Sequence, residues 1–239
     1  MLSCVIIVPA RGGSKRVPRK NLAPLDGKPL LLYTLEQIAE AGLRANAVVS
    51  TEDADIADLT KKTGFRVIDR PAALADDHAS TESVLLHVLD TLKKEGQDFE
   101  WVMTLPPASP FRTAGTIKKF LDEAGRSPAE VDALFSLSER AEYLWRRRED
   151  GSFEPLFSDA ARSMQARRAQ GHVLYEENSA VYLTRVAALR TQAAAGATAP
   201  ILGKNPRGVE IDHGEGIDIN TALDVEHAEA VLRARKRMV

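Results

Sequence analysis

The stretch Val5-Ile6-Ile7-Val8-Pro9-Ala10-Arg11-Gly12-Gly13-Ser14-Lys15-Arg16 sets an unbroken apolar run against a glycine pair and a cluster of cations. Val5 to Val8 lack the alternation of a half-exposed strand, so they predict a strand buried on both faces, as in a parallel sheet. Pro9 ends it, since proline brings no N–H to a ladder. In open parallel sheets ligands bind beyond the carboxyl ends of the strands, which makes the segment after Pro9 the first place to look for a site. Arg11, Lys15, Arg16, Arg19 and Lys20 fall within ten positions there. Paired glycines let backbone N–H groups converge on an anion, and the cations can neutralise phosphate charge during transfer. A charge run more commonly marks a solvated face; its place after a buried strand favours phosphate. The loop is not a Walker motif, whose four-residue glycine spacing and Gly-Lys-Ser/Thr ending are absent, and there is no G-x-G-x-x-G.

Working outward, Leu31, Leu35, Ile38, Ala39 and Leu43 form one helical stripe ending near Gly42. Ala47–Ser50 predicts a second strand, the stretch from Asp53 to Gly64 a helix, and Phe65–Ile68 a third strand. Ser80–Leu92 repeats the helical spacing, with Ser80 or Thr81 as its cap and Gly96 as its stop. Trp101–Leu105, a helix near Ala114–Ala124, and Ala133–Leu137 continue the alternation. Strands separated by helices predict an α/β fold, a mostly parallel sheet with helices on both faces. The rhythm breaks over 138–178, where Asp150-Gly151 between apolar runs signals a hairpin. That segment is read as an insertion within a single domain spanning 1–239, because it carries too many large apolar residues for a solvated spacer. Regular structure resumes at Ala180–Leu183 and at Ile217–Ile219, read as strands, and at a last helix from Ala222, where Thr221 and Asp224 have capping-box spacing.

Composition narrows the class. The 239 residues, 44% hydrophobic and 28% charged, suit one large globular domain. With 32 basic and 34 acidic residues the net charge is −2, which gives no bulk reason to expect nucleic acid or a membrane surface as partner. No stretch approaches the roughly 20 apolar residues of a membrane span. The early cations follow the apolar run instead of preceding it, unlike a signal peptide. The one cysteine, Cys4, excludes an internal disulfide and fits a reducing compartment. A cytoplasmic protein is the expectation. The five histidines show no metal spacing and read as structural or surface residues.

Val8-Pro9-Ala10-Arg11-Gly12-Gly13-Ser14-Lys15, Pro18-Arg19-Lys20-Asn21 and Gly27-Lys28-Pro29-Leu30 closely resemble the opening of the sialic acid (nonulosonate) cytidylyltransferases. The resemblance continues through Val49-Ser50-Thr51-Glu52-Asp53, the segment from Arg70-Pro71 to Ser80, Ser109-Pro110-Phe111-Arg112, Glu177-Asn178-Ser179-Ala180-Val181-Tyr182 and Ile217-Asp218-Ile219-Asn220-Thr221. It implies a nucleotide-diphospho-sugar transferase fold, GT-A-like and Rossmann-like, with a projecting dimerisation arm that agrees with the break at 138–178. It implies an enzyme that joins CTP to a nine-carbon 2-keto sugar acid with Mg²⁺, releasing pyrophosphate, and that works as a homodimer. By the same resemblance Arg11, Lys20 and Asp218 are the catalytic candidates, and Ala10, Gly12, Gly13, Ser14, Lys15 and Asn21 surround the nucleotide. Asp218 and Asn220 are the metal candidates; Asp218 could instead cap the last helix, a task Thr221 already fills. Arg168, Tyr182 and Asn220 are the sugar candidates, Arg168 through a planar fork suited to a carboxylate. Arg168 could equally belong to a solvated cluster with Arg167, and Tyr182 could be a core residue with a satisfied hydroxyl.

Several positions depart from the family pattern. Leu105-Pro106-Pro107-Ala108-Ser109-Pro110 stands where many relatives have Leu-Gln-Pro-Thr-Ser-Pro, which removes a sugar-contacting Gln and a Thr. Asp218-Ile219-Asn220 stands for a frequent Asp-x-Asp; Asn keeps an oxygen but cannot serve as a general base. Asp212, Glu215 and Asp224 are the carboxylates that could compensate. These departures leave open another sugar acid such as an octulosonate, another nucleotide such as GTP, and a nucleotide-binding regulatory protein without turnover.

Overall fold

The computed structural model describes residues 2–76, 79–140, 142, 144–156 and 173–237. Its strands are β1 (Cys4–Pro9), β2 (Pro24–Leu25), β3 (Lys28–Pro29), β4 (Ala47–Thr51), β5 (Arg66–Asp69), β6 (Trp101–Thr104), β7 (Ala133–Arg140), β8 (Trp145–Arg147), β9 (Phe153–Pro155), β10 (Leu174–Arg185) and β11 (Pro206–Glu210). Its α-helices are α1 (Leu30–Glu40), α2 (Ala54–Lys62), α3 (Thr81–Lys94), α4 (Ala114–Arg126), α5 (Val186–Ala194) and α6 (Ala222–Arg237). Seven strands form the central sheet in the order β11-β7-β10-β6-β1-β4-β5. Only β10 runs against its neighbours, β6 and β7; the other pairings are parallel.

The lack of alternation in β1 follows from burial on both sides. Cys4, Ile6 and Val8 pack with Leu31, Leu35 and Ile38 of α1 and Ile117 and Phe120 of α4. Val5 and Ile7 face the other way, onto Leu85, Val88 and Leu92 of α3 and Leu189 of α5. Burying each such side chain contributes roughly 1.5–3 kcal/mol, so both faces must stay apolar. Side-chain caps set where α2, α3 and α4 begin. Asp53 accepts from the Asp55 and Ile56 amides, Ser80 from Ser83, and Thr113 from Thr116. At α6 the predicted reciprocal cap forms: the Thr221 amide donates to Asp224 Oδ2 at 2.7 Å and the Asp224 amide to Thr221 Oγ1 at 3.3 Å.

Two expectations need correction. Ile217–Ile219 is not a strand: the Ile219 amide makes one bond, to the Ala108 carbonyl at 2.8 Å, and its side chain fills a third apolar cluster with Leu25, Leu30, Phe111 and Ala228. The apolar pair reflects anchoring of a connection, not a ladder. The strand beside β7 is instead β11, whose Pro206, Gly208 and charged residues disguise it; only Val209 is buried. An edge strand tolerates that composition because one side of its backbone needs no partner. Within 138–178, β7 and β10 extend outward, Leu174 pairing with Arg140, and β8 and β9 form the hairpin that Asp150-Gly151 predicted. Gly151 takes φ 84° there. Residues 157–172, with Arg168 among them, lie outside the described residues.

Candidate active site

A cavity of about 480 Å³ opens beyond the carboxyl ends of β1, β5 and β6. Arg11, Ser14, Lys20 and Asn21 line it from the first loop, Arg70 from the end of β5, and Ser80 and Thr81 from the start of α3. Thr104, Pro106 and Ala108 line it from β6 and the loop that follows, and Ser179 and Tyr182 from β10. Arg11 donates to the Asp76 carbonyl at 2.9 Å, while buried Asn21 donates to the Arg11 carbonyl at 2.8 Å and holds the loop in place. Lys20 Nζ donates to the Ile219 carbonyl at 2.9 Å, which ties the first loop to the 217–220 segment across the chain. Burial lowers the Lys20 pKa, opposed by nearby Asp218 and reinforced by Arg16 and Arg11. A cation drawn out of water beside two further cations favours an anionic ligand.

The glycine pair divides its work. A Cβ on Gly12 would lie 2.5 Å from Asp53 Oδ2, and its amide donates to Glu52 Oε1 at 2.7 Å, so Gly12 is required by close approach. A Cβ on Gly13 would meet nothing within 4 Å. Ala10 is buried beneath the loop and its amide bonds the Ser50 carbonyl at 3.0 Å. Of the five cations, Arg11 and Lys20 line the cavity. Arg16 reaches Asn220 Oδ1 at 3.2 Å, Arg19 pairs outward with Asp53 and Asp55, and Lys15 is exposed and lines neither cavity described here.

A second cavity, of about 420 Å³, shares Ser179 with the first and holds Glu176, Glu177, Asn178, Asp218, Asn220 and His227. Asn220 Nδ2 donates to Asp218 Oδ2 at 2.5 Å. The three carboxylates that the sequence offered as substitutes for a second acid at 220 are engaged otherwise. Asp224 caps α6, Glu215 accepts from the Thr116 hydroxyl, and Asp212 accepts from the Gly214 amide. Among the described residues no three His, Cys, Asp or Glu side chains gather as a metal cage. One carboxylate and an amide nevertheless suit Mg²⁺, which takes most of its ligands from phosphate and water.

Reasoning from sequence missed four contributors. Arg70 is buried, donates to the Ser50 carbonyl at 2.8 Å, and has its pKa lowered by burial against the pull of Glu52. The position just past β5 was the signal for it, by the same rule that found Arg11. The α3 N-terminus, with Ser80 and Thr81, adds partial positive charge. Thr104 ends β6 with its hydroxyl buried and without a hydrogen-bond partner among the described residues. Arg112 is wholly buried, donating to the Pro106 and Ala180 carbonyls at 3.0 and 2.7 Å and to Thr34 at 2.5 Å. Burial pushes its guanidinium down to about 9, and it clamps two segments that line the cavities.

Comparison with known proteins bears on family and fold. A family-wide sequence model described as cytidylyltransferase matches residues 5–194. The pseudaminic acid cytidylyltransferase of Campylobacter jejuni is 34% identical over 114 residues, 47% of this chain and 49% of that protein. The CMP-N,N'-diacetyllegionaminic acid synthase of Legionella pneumophila is 36% identical over 135 residues, 54% of this chain and 57% of that protein. The chain thus spans about half the length of the curated relatives it matches. Among solved structures, a CMP:2-keto-3-deoxy-manno-octonic acid synthetase complexed with CTP superposes with a TM-score of 0.67 at 18% identity, covering 98% of this chain and 99% of that one. At that identity the likeness is one of fold. Among the described residues no helix is long and apolar enough to cross a membrane.

Proposed function

The chain belongs to the cytidylyltransferase family, and from that premise we propose that it joins CTP to a sialic-acid-like nonulosonic acid, giving the CMP-sugar and pyrophosphate. The observation that carries this reading is the pair of contiguous cavities. One is lined by Arg11, Lys20 and Arg70, the other by Asp218, and Ser179 is common to both. The first suits a triphosphate and the second an acceptor sugar. Transfer needs the nucleophile held in line with the α-phosphorus and the leaving pyrophosphate's charge neutralised. Arg11 and Lys20 supply charge from one loop, and the Lys20 bond to Ile219 brings Asp218 toward the same junction. Asp218, with Asn220, would hold Mg²⁺, which when bound shields the phosphate oxygens. The relatives' names favour a pseudaminic or legionaminic type of acid over N-acetylneuraminate.

A homodimer formed through the 138–178 arm is part of the proposal. The β8–β9 hairpin and the residues flanking it present Leu144, Trp145, Phe153 and Leu156 to solvent, and an isolated two-stranded hairpin with exposed apolar side chains needs a partner to be stable. A cytoplasmic setting is part of the proposal, in keeping with a chain whose one cysteine, Cys4, is buried. The test is pyrophosphate release from CTP or GTP with Mg²⁺ and a panel of nonulosonic and octulosonic acids. Release with CTP and a nonulosonic acid is expected; none with any acid, despite CTP binding, returns the chain to a nucleotide-binding role. Arg11→Ala and Asp218→Ala should each lower turnover by roughly 100-fold or more with the circular dichroism spectrum unchanged.

A further inference from the structure

Four carboxylates line the second cavity among the described residues: Glu176, Glu177, Asp218 and Asp224. Glu176 pairs with Arg140 Nε at 3.1 Å. Asp224 accepts from the Asn220 and Thr221 amides at 2.8 and 2.7 Å and closes the α6 cap. Asp218 is held by the Asn220 amide and is the carboxylate assigned above to the metal. Glu177 is placed differently. Its Oε1 accepts the Tyr182 hydroxyl, whose oxygen also lies 3.1 Å from Ser179 Oγ.

This contact depends on a backbone irregularity. Residues five apart on a regular strand point to opposite faces. Glu177 and Tyr182 meet because the register of β10 against β7 shifts between them, and Ser179 sits at φ 59°, a left-handed conformation that disfavours serine. Strain of this kind persists where the surroundings enforce it, and here Asn178 does so. It is buried, donates to Ser138 Oγ at 2.8 Å, and accepts from the Ala180 amide at 3.2 Å. The bulge therefore joins the two cavities, with Tyr182 lining the first, Glu177 the second and Ser179 both.

We propose that Glu177 is the proton acceptor for the sugar hydroxyl that attacks the α-phosphorus, with Tyr182 as its positioning residue. The inference rests on the cytidylyl-transfer reading above. As the hydroxyl oxygen bonds to the α-phosphorus, the bond from that phosphorus to the bridging oxygen breaks. Pyrophosphate leaves with the electron pair, and the hydroxyl proton passes to Glu177 Oε2 and then to water. Tyr182 fixes Oε1 and leaves Oε2 as acceptor. Burial, then the Glu177 hydrogen bond, holds the Tyr182 phenol well above its ordinary pKa, so it stays a donor throughout.

Glu177→Gln keeps the oxygen that accepts from Tyr182 and removes the basicity. With CTP, Mg²⁺ and the best acid of the panel, it should lower kcat by roughly 100-fold or more while leaving the CTP dissociation constant within about threefold of wild type. Glu177→Asp should recover part of the loss, and Tyr182→Phe should lower kcat less than Glu177→Gln does. A Glu177→Gln enzyme whose kcat stays within about threefold of wild type overturns the proposal. So does parallel loss of CTP affinity and turnover, which would mark a role in the fold. A wild type that releases no pyrophosphate overturns both this inference and the function beneath it. An active wild type beside an equally active Glu177→Gln enzyme overturns the proton acceptor alone.

Discussion

At Gly12 a methyl group would lie 2.5 Å from Asp53 Oδ2, inside any real contact distance, while the same group on Gly13 would find open space. Asp53 cannot give way freely, because its carboxylate also caps α2. Gly12→Ala should therefore displace the loop, break the bond to Glu52, and weaken nucleotide binding by about tenfold or more, whereas Gly13→Ala should stay near wild type. Isothermal titration with CTP separates the two, and equal affinities would show that Gly12 is not constrained by its neighbour. The sequence flagged both glycines for one reason, access of an amide to an anion. The structure separates them because what Gly12 needs is room beside a residue 41 positions away. Arg19 shows the same limit. It looked like one more phosphate cation, yet it turns outward to Asp53 and Asp55.

The α6 cap shows how an element fixes the site. Asp224 Oδ2 accepts the amides of Asn220 and Thr221, so the start of the helix and the end of the Asp218–Asn220 segment are held by one carboxylate. Asp224→Ala should cost about 1 kcal/mol of stability, read as a lower urea midpoint. Partial burial works to raise the Asp224 pKa, and the donated hydrogen bonds outweigh it, leaving it below its usual value. A depressed folded-state pKa contributes stability above the unfolded value of roughly 3.9 and loses it as pH falls through the folded value. Wild type should accordingly lose more stability than Asp224→Asn between about pH 5 and pH 3; equal losses would remove Asp224 from the account. The capping spacing was legible in the chain, since a cap is local. The strand read at Ile217–Ile219 was not there, because pairing is decided by what lies alongside. β11 holds the sheet edge with five residues of weak strand character.

For the whole molecule, the β8–β9 hairpin is the part whose surface does not suit solvent. Trp145 is 57% and Phe153 63% exposed. Paired charges, Trp145→Glu with Phe153→Glu, should convert the proposed dimer into a 26.1 kDa species in sedimentation without unfolding the α/β core. A wild type that sediments at that mass at micromolar concentration would exclude the arm as a dimer contact. The sequence by itself determined the parallel core, the helices on both faces, the basic loop after β1 and the caps of α3 and α6. Each of these depends on residues within a turn or two of one another, or on strand and helix periods that neighbouring side chains set. Only the tertiary structure decided that Arg70 joins Arg11 and Lys20, that Arg112 ties the Pro106 loop to β10, and that Glu177 meets Tyr182 across a bulge. Those meetings depend on strand order and register, which arise from packing between segments far apart in the chain and leave no local periodicity to read.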